Sequence, residues 1–132
     1  MTRLDDISWC PTQFQEYVHG IDYRVHVVGD EVYACKVISD ADDYRYASRQ
    51  GRDVRIEACE LTLGIADRCI AMSAEMGLAV SGIDLRQSEN GVWYCFEVNP
   101  SPGFTYYQEK TKQPIADSIA RLLAGGLKSD SK

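Results

Sequence analysis

The dipeptide Asn90-Gly91 constrains the fold of this chain more than any other feature of its sequence. It lies between two runs with strand character, Ala79–Arg86 and Val92–Val98, and Asn-Gly is the strongest short-range signal for a β-hairpin. If Asn90 and Gly91 form a two-residue turn, the register of the two strands follows, and Asp84 lies directly opposite Glu97. The sequence therefore predicts an antiparallel strand pair with two carboxylates side by side.

Side chains alternate between the two faces of a strand, so each residue of this hairpin can be assigned to a face. The core face is predicted to carry Ile83, Leu85, Phe96 and Val98. The opposite face is predicted to carry Asp84, Arg86, Cys95, Glu97 and, if the strand continues, Asn99. Like charges directly opposite each other destabilise a sheet, so we expect a compensating positive charge. Arg86 on a solvated face is one candidate; a divalent cation, which prefers carboxylate and amide oxygens, is the other.

The rest of the chain predicts strands and two helices around this hairpin. Gly29-Asp30 is a second turn signal, and the predicted elements are strands at Thr12–Val18, Asp22–Val28 and Glu31–Ile38, a polar loop at Ser39–Asp53, and helices at Ala58–Met76 and about Pro114–Ala124. This order indicates an α+β fold with a largely antiparallel sheet and two helices. We expect one domain over residues 12–124, after an N-terminal lead-in at 1–11 and before a flexible tail at 125–132.

Composition excludes several classes of function. The 132 residues include 14 basic and 20 acidic side chains, for a net charge of −6, whereas a non-specific binder of nucleic acid or of anionic membranes needs a basic face. No apolar run is long enough to span a membrane and no signal peptide is visible, so a cytoplasmic location is expected. Five cysteines without a CxxC motif and two histidines do not predict a structural zinc site.

Four ordered segments resemble ATP-grasp ligases, most closely the RimK-like carboxylate–amine ligase branch. Glu97–Gly103 (EVNPSPG) is similar to the family's E-V-N-x-S-P-G segment. Gln15–Val18 resembles its adenine hinge, Asp22–Val32 (DYRVHVVGDEV) its D-x-R…V-V-G-D-E-V hairpin, and Ser81–Leu85 (SGIDL) its A-G-V-D-L strand. The resemblance implies the C-terminal subdomain of the ATP-grasp fold.

The resemblance also implies cofactors and residue roles. ATP and Mg²⁺, or Mn²⁺, would be the cofactors, with the metal held by Asp84, Glu97 and Asn99. Glu16 and Tyr17 would contact adenine, Asp22 would reach the ribose hydroxyls, and Arg24 would stand near the transferring phosphoryl group. Arg45, in the long loop, would serve both nucleotide binding and catalysis. The implied reaction is ADP-forming ligation of a carboxylate to an amine or thiol through an acyl phosphate.

Two departures from the family leave alternatives open. Ala47 occupies the position of a family asparagine in the long loop, and the chain begins about a dozen residues before the hinge, without the first lobe of the nucleotide cleft. The chain could be part of a ligase completed by a second chain or by self-association, a non-catalytic binding module, or a truncated remnant. Expected partners are ATP and small-molecule or peptide carboxylates and amines, with no nucleic acid and no membrane.

Overall fold

The computed structural model describes residues 7–9, 19–39 and 54–130. These residues form six strands and three helices, which are β1 (Ile7–Trp9), β2 (Gly20–Val28), β3 (Glu31–Ser39), β4 (Val54–Cys59), α1 (Leu63–Glu75), β5 (Val80–Ser88), β6 (Trp93–Asn99), α2 (Thr105–Thr111) and α3 (Ile115–Asp130). The strands make one sheet in the order β1-β6-β5-β2-β3-β4. Every neighbouring pair is antiparallel except β1 with β6. The predicted α+β fold with a largely antiparallel sheet is confirmed.

The side chains of strand β2 alternate between an apolar face and a polar face of the sheet. Its odd-numbered residues Tyr23, Val25 and Val27 are buried in the main core, where α1 contributes Ile65 and Cys69. Its even-numbered residues Asp22, Arg24 and His26 project from the other face, because strand side chains alternate. The polar face is therefore built on a central strand that is held by neighbours on both sides.

Helices α2 and α3 cover one end of this polar face. Tyr107 of α2 packs with Cys35, Val37 and Ile56 in a small second core. From α3, the hydroxyl of Ser118 donates to Glu31, and Arg121 Nη2 lies 3.1 Å from the second carboxylate oxygen of Glu31. The two helices thus pack on this face over β2, β3 and β4, beside the charged residues of β2, β5 and β6.

The β5–β6 hairpin reaches the predicted pairing of Asp84 with Glu97 by an unexpected route. Its turn is a three-residue loop, with Ser88 N donating to Val92 O at 2.8 Å, and Gly91 adopts a left-handed φ of 87°. This loop shifts the register near the turn by one residue. A β-bulge between Asp84 and Leu85 then shifts it back. The prediction of a two-residue turn is wrong, but the predicted carboxylate pair is confirmed because the two shifts cancel.

The bulge reverses two of the predicted face assignments. Cys95 pairs with Leu85 and lies fully buried in the main core, not beside the carboxylates. Phe96 is the extra residue of the bulge, and its ring lies 5.1 Å from the guanidinium carbon of Arg86 on the polar face. The physical reason is that a bulge places two residues of one strand opposite one residue of its partner.

Several element bounds differ from the predictions. Val54–Cys59 is strand β4 and α1 begins at Leu63, so the first helix starts later than Ala58. Helix α2 adds a third helix to the two that were predicted, and α3 continues to Asp130. The predicted strand Thr12–Val18 lies outside the described residues, as does the loop after Ser39. None of the helices in the described part of the chain is both long enough and apolar enough to cross a membrane.

Candidate active site

The first row of charges across the polar face joins β2, β5 and β6. Arg24 is the cross-strand partner of Asp84, and Asp84 in turn is the partner of Glu97. Arg24 Nη1 donates to Asp84 Oδ1 at 2.7 Å, and the two side chains are 7% and 9% exposed. A buried charge pair of this kind is stable only when both members are present. Arg24 therefore provides the positive charge that the sequence required beside Asp84.

A second pair of opposite charges lies on the same face, two residues away along β2 and β5. Asp22 pairs with Arg86, whose Nε donates to Asp22 Oδ1 while its Nη2 donates to Oδ2 at 3.0 Å. This two-point contact fixes the plane of the carboxylate, and the guanidinium carbon lies over the ring of Phe96. Arg86 thus pairs with Asp22, whereas the sequence had suggested it as the charge that compensates Asp84 and Glu97.

The turn after β6 packs against β5 at the edge of the site. Asn99 is the cross-strand partner of Gly82, and its side-chain Oδ1 accepts a hydrogen bond from Ser101 N at 2.9 Å. A Cβ atom on Gly82 would lie 2.7 Å from Pro102 Cβ and 2.8 Å from Arg24 Nη2. Gly82 is needed because Pro102 and the arginine both pack directly against its backbone.

His26 forms the floor of the site next to Arg24. Its side chain is 1% exposed, it makes a hydrogen bond with the backbone of Gly103, and its ring lies 5.2 Å from that of Tyr107. Burial, followed by the nearby charge of Arg24, lowers the pKa of His26 to about 4. The imidazole is therefore neutral at pH 7 and acts as an uncharged brace between β2 and the turn.

The donor set of this face fits a hard divalent cation. Asp84, Glu97 and Asn99 share the face, and two carboxylates with an amide oxygen are ligands that suit Mg²⁺ or Mn²⁺. Within residues 7–9, 19–39 and 54–130, no cluster of three His, Cys, Asp or Glu side chains is placed to hold a metal. A cation at this face would consequently depend on the amide of Asn99 as well as on the two carboxylates.

The structure brings together five of the eight residues that the sequence assigned to the site. They are Asp22, Arg24, Asp84, Glu97 and Asn99, and all lie on the polar face of β2, β5 and β6. Glu16, Tyr17 and Arg45 lie outside the described residues. Phe96, which the sequence assigned to the core face, lies here because of the bulge. Tyr107 was expected near the acceptor site only from its position soon after the EVNPSPG segment, and its contact with Arg24 was not expected.

Comparison with known proteins identifies the same family. The sequence model of the RimK-like ATP-grasp domain matches residues 8–123. A probable alpha-L-glutamate ligase of Photobacterium profundum is 34% identical over 112 residues, which are 83% of this chain and 36% of that protein. The tetrahydromethanopterin:alpha-L-glutamate ligase of Methanocaldococcus jannaschii is 31% identical over 120 residues, covering 87% of this chain and 40% of that enzyme.

Solved structures agree with the fold. The ATP-grasp ligase PsnB, in complex with a precursor variant, Mg and ADP, superposes with a TM-score of 0.69 at 28% identity, covering 83% of this chain and 34% of that one. A RiPP-associated ATP-grasp ligase of Chryseobacterium gregarium, bound to ADP with a leader and core peptide, gives a TM-score of 0.72 at 25% identity, covering 85% and 35%. The chain thus spans little more than a third of the proteins it matches, and it belongs to the RimK-like ATP-grasp family.

Proposed function

We propose that this chain is the ATP- and Mg²⁺-binding portion of an ADP-forming ligase that joins a carboxylate to an amine. The observation that carries the proposal is the opposition of Asp84 and Glu97 on one face, beside Arg24 and with Asn99 at the end of the same strand. Two carboxylates held this close favour a bound cation, because the cation relieves their repulsion.

Each polar residue of the face has a proposed role. Asp84, Glu97 and Asn99 would hold the Mg²⁺ or Mn²⁺ ion, which when bound supplies charge neutralisation for the ATP phosphates. Arg24 would place its charge near the phosphoryl group during transfer. Asp22 would accept hydrogen bonds from the ribose hydroxyls, and the two-point contact from Arg86 keeps its carboxylate oriented.

The proposed reaction has two steps. A carboxylate oxygen of the first substrate attacks the γ-phosphorus of ATP, which forms an acyl phosphate and releases ADP. The amine then attacks the acyl carbon, which releases phosphate and forms the amide. Glu16 and Tyr17 are proposed to hold adenine and Arg45 to contact the phosphates. Relatives named alpha-L-glutamate ligases favour an amino acid as the amine. The peptide complex of a structural neighbour favours a peptide as the carboxylate, and the name of the tetrahydromethanopterin relative favours a small molecule.

The isolated chain is expected to be inactive by itself. It covers 36% of the Photobacterium protein, so a complete nucleotide cleft would require a lobe in addition to these 132 residues. A cleft with one wall leaves much of the nucleotide exposed, and such sites bind weakly because enclosure provides most of the affinity. Catalysis should therefore appear only in a reconstituted protein.

The test combines binding with reconstitution. The chain is titrated with ATP in the presence and absence of Mg²⁺. It is then mixed with the remaining portion of the Photobacterium relative, and ADP release is followed with a short peptide as the carboxylate and glutamate as the amine. We expect Mg²⁺-dependent binding and restored turnover, with turnover reduced by orders of magnitude in Glu97→Gln because the phosphate-bound ion loses a ligand. The control is Glu75→Gln, an exposed carboxylate at the end of α1.

The outcomes separate the competing functions. ATP binding without ADP release in the mixture would favour a non-catalytic binding module. Full turnover in Glu97→Gln would exclude the proposed metal role of this residue and return the face to a purely structural one.

A further inference from the structure

The guanidinium of Arg24 has packing contacts in addition to its ion pair with Asp84. Asp84 Oδ1 lies 2.7 Å from Nη1, and the ring centroid of Tyr107 lies 5.3 Å from Cζ. On a third side, Nη2 is 2.8 Å from the point where Gly82 would carry a Cβ atom, a point that Pro102 also approaches. Only 7% of the arginine side chain is exposed. The charge is thus confined by a carboxylate, an aromatic ring and a backbone surface.

Tyr107 is itself held in place by its surroundings. The residue is 8% exposed, its ring packs against His26 at 5.2 Å, and Tyr106 contacts it edge-on at 5.3 Å. His26 in turn is bonded to the backbone of Gly103, in the turn that carries Pro102. The aromatic ring and the turn are therefore braced against the same strand, β2, that carries Arg24.

This enclosure changes how Arg24 can act. An arginine side chain normally samples many rotamers and loses that freedom when it binds a ligand. We propose that Tyr107 is a positioning residue that, together with Gly82 and Pro102, immobilises the guanidinium of Arg24 on Asp84. Arg24 then offers a charge of fixed position and does not swing between partners. The importance of that charge rests on the proposed function, whereas its immobilisation is a property of the chain alone.

The experiment measures rotation of the guanidinium groups directly. Nitrogen-15 NMR spectra of the arginine side chains are recorded on the chain without metal or nucleotide, and the rate of rotation about the Cζ–N bonds is compared between arginines. In the wild type, Arg24 should rotate at least about ten-fold more slowly than Arg55, which pairs with Glu57 at the surface. Tyr107→Leu should remove this difference, while Tyr107→Phe should retain it, because phenylalanine keeps the aromatic face.

A second arginine in the same sample provides the matched control. Arg86 lies over Phe96 at 5.1 Å, so Phe96→Leu should loosen Arg86 and leave Arg24 slow. Equal rotation rates of Arg24 and Arg55 in the wild type would overturn the proposal, and this comparison requires no variant to fold. A slow Arg24 in a folded Tyr107→Leu protein would also overturn it. No ligand is present, so the result does not depend on whether the chain binds ATP.

Discussion

Asp84 and Glu97 face each other across β5 and β6, and Asp84 accepts a hydrogen bond from the buried guanidinium of Arg24 at 2.7 Å. The two carboxylates therefore differ in what they contribute to folding. Removing the charge of Asp84 would leave that guanidinium buried without its carboxylate, whereas removing the charge of Glu97 would relieve the repulsion between the two facing carboxylates. Asp84 and Glu97 would both hold a cation, whose charge would offset their repulsion.

Neutralising each carboxylate should reveal this difference. Glu97→Gln should leave the free energy of unfolding unchanged or slightly raised in the absence of Mg²⁺. Asp84→Asn should lower it by about 3–5 kcal/mol, because Arg24 is left buried without its carboxylate. Urea unfolding at pH 7 with and without Mg²⁺ provides the measurement. Equal stability of Asp84→Asn and the wild type would show that the Arg24–Asp84 pair contributes nothing to the fold.

Because Cys95 is buried, we expect its replacement by serine to destabilise the protein more than the replacement of a surface cysteine would. Cys95→Ser places a hydroxyl among apolar side chains of the main core, which should lower the free energy of unfolding by about 1–3 kcal/mol. Cys59→Ser, at a half-buried position on β4, serves as the control and should cost less. If the two variants unfold at the same urea concentration, the bulge does not turn Cys95 into the core.

The contrast between Cys95 and Glu97 shows how far the sequence predicts this hairpin. The Asn-Gly signal and the alternation of side chains predict that two strands pair and that Asp84 meets Glu97. They do not reveal that the loop is one residue longer or that Phe96 forms a bulge, because both depend on how β5 and β6 pack against β2 and α1. Local sequence patterns predict which strands pair in a hairpin. They do not reveal two register shifts of one residue that cancel each other.

The elements that the sequence missed share a dependence on tertiary contacts. Strand β4 is a short edge strand in which Arg55 and Glu57 point outward, so its apolar pattern is brief. Helix α2 has seven residues, too few to be stable without the packing of Tyr107 against β2 and β4. By contrast, the site residues of β2 and β6 were predictable, because a family resemblance identified them and strand alternation places them on one face.

The burial of His26 predicts a pH dependence of stability. Its pKa falls from 6.5 to about 4 on folding, so the unfolded chain binds the proton more readily than the folded one. The contribution of His26 to the free energy of unfolding is fully present above pH 6.5. It decreases by about 3 kcal/mol as the pH falls toward 4. Urea unfolding between pH 4 and 7 should show this loss in the wild type and a flatter profile in His26→Phe. A His26 pKa near 6.5 in NMR titration of the folded chain would contradict the expectation.

Gly82 and Gly103 provide a matched pair for the packing of the turn. Gly82→Ala would force its methyl group against Pro102 and Arg24, which should cost about 1–3 kcal/mol of folding free energy. Among the residues that the structure describes, no atom lies within 4 Å of a Cβ on Gly103, so Gly103→Ala should be tolerated. Thermal unfolding of both variants and of the wild type measures the difference in stability. A stable Gly82→Ala protein would mean that the turn yields to the methyl group.

The parallel pairing of β1 with β6 has a consequence for the order of assembly. Ile7 is the partner of Trp93, so the first strand of the described chain docks beside the last. During synthesis β1 leaves the ribosome long before its partner exists, and closing so long a loop is entropically slow. The sheet must therefore grow outward from β2, β3 and β5, with the segment around Ile7 captured in a late step. A ribosome stalled before β6 should carry a nascent chain whose first strand is open to proteases and chaperones.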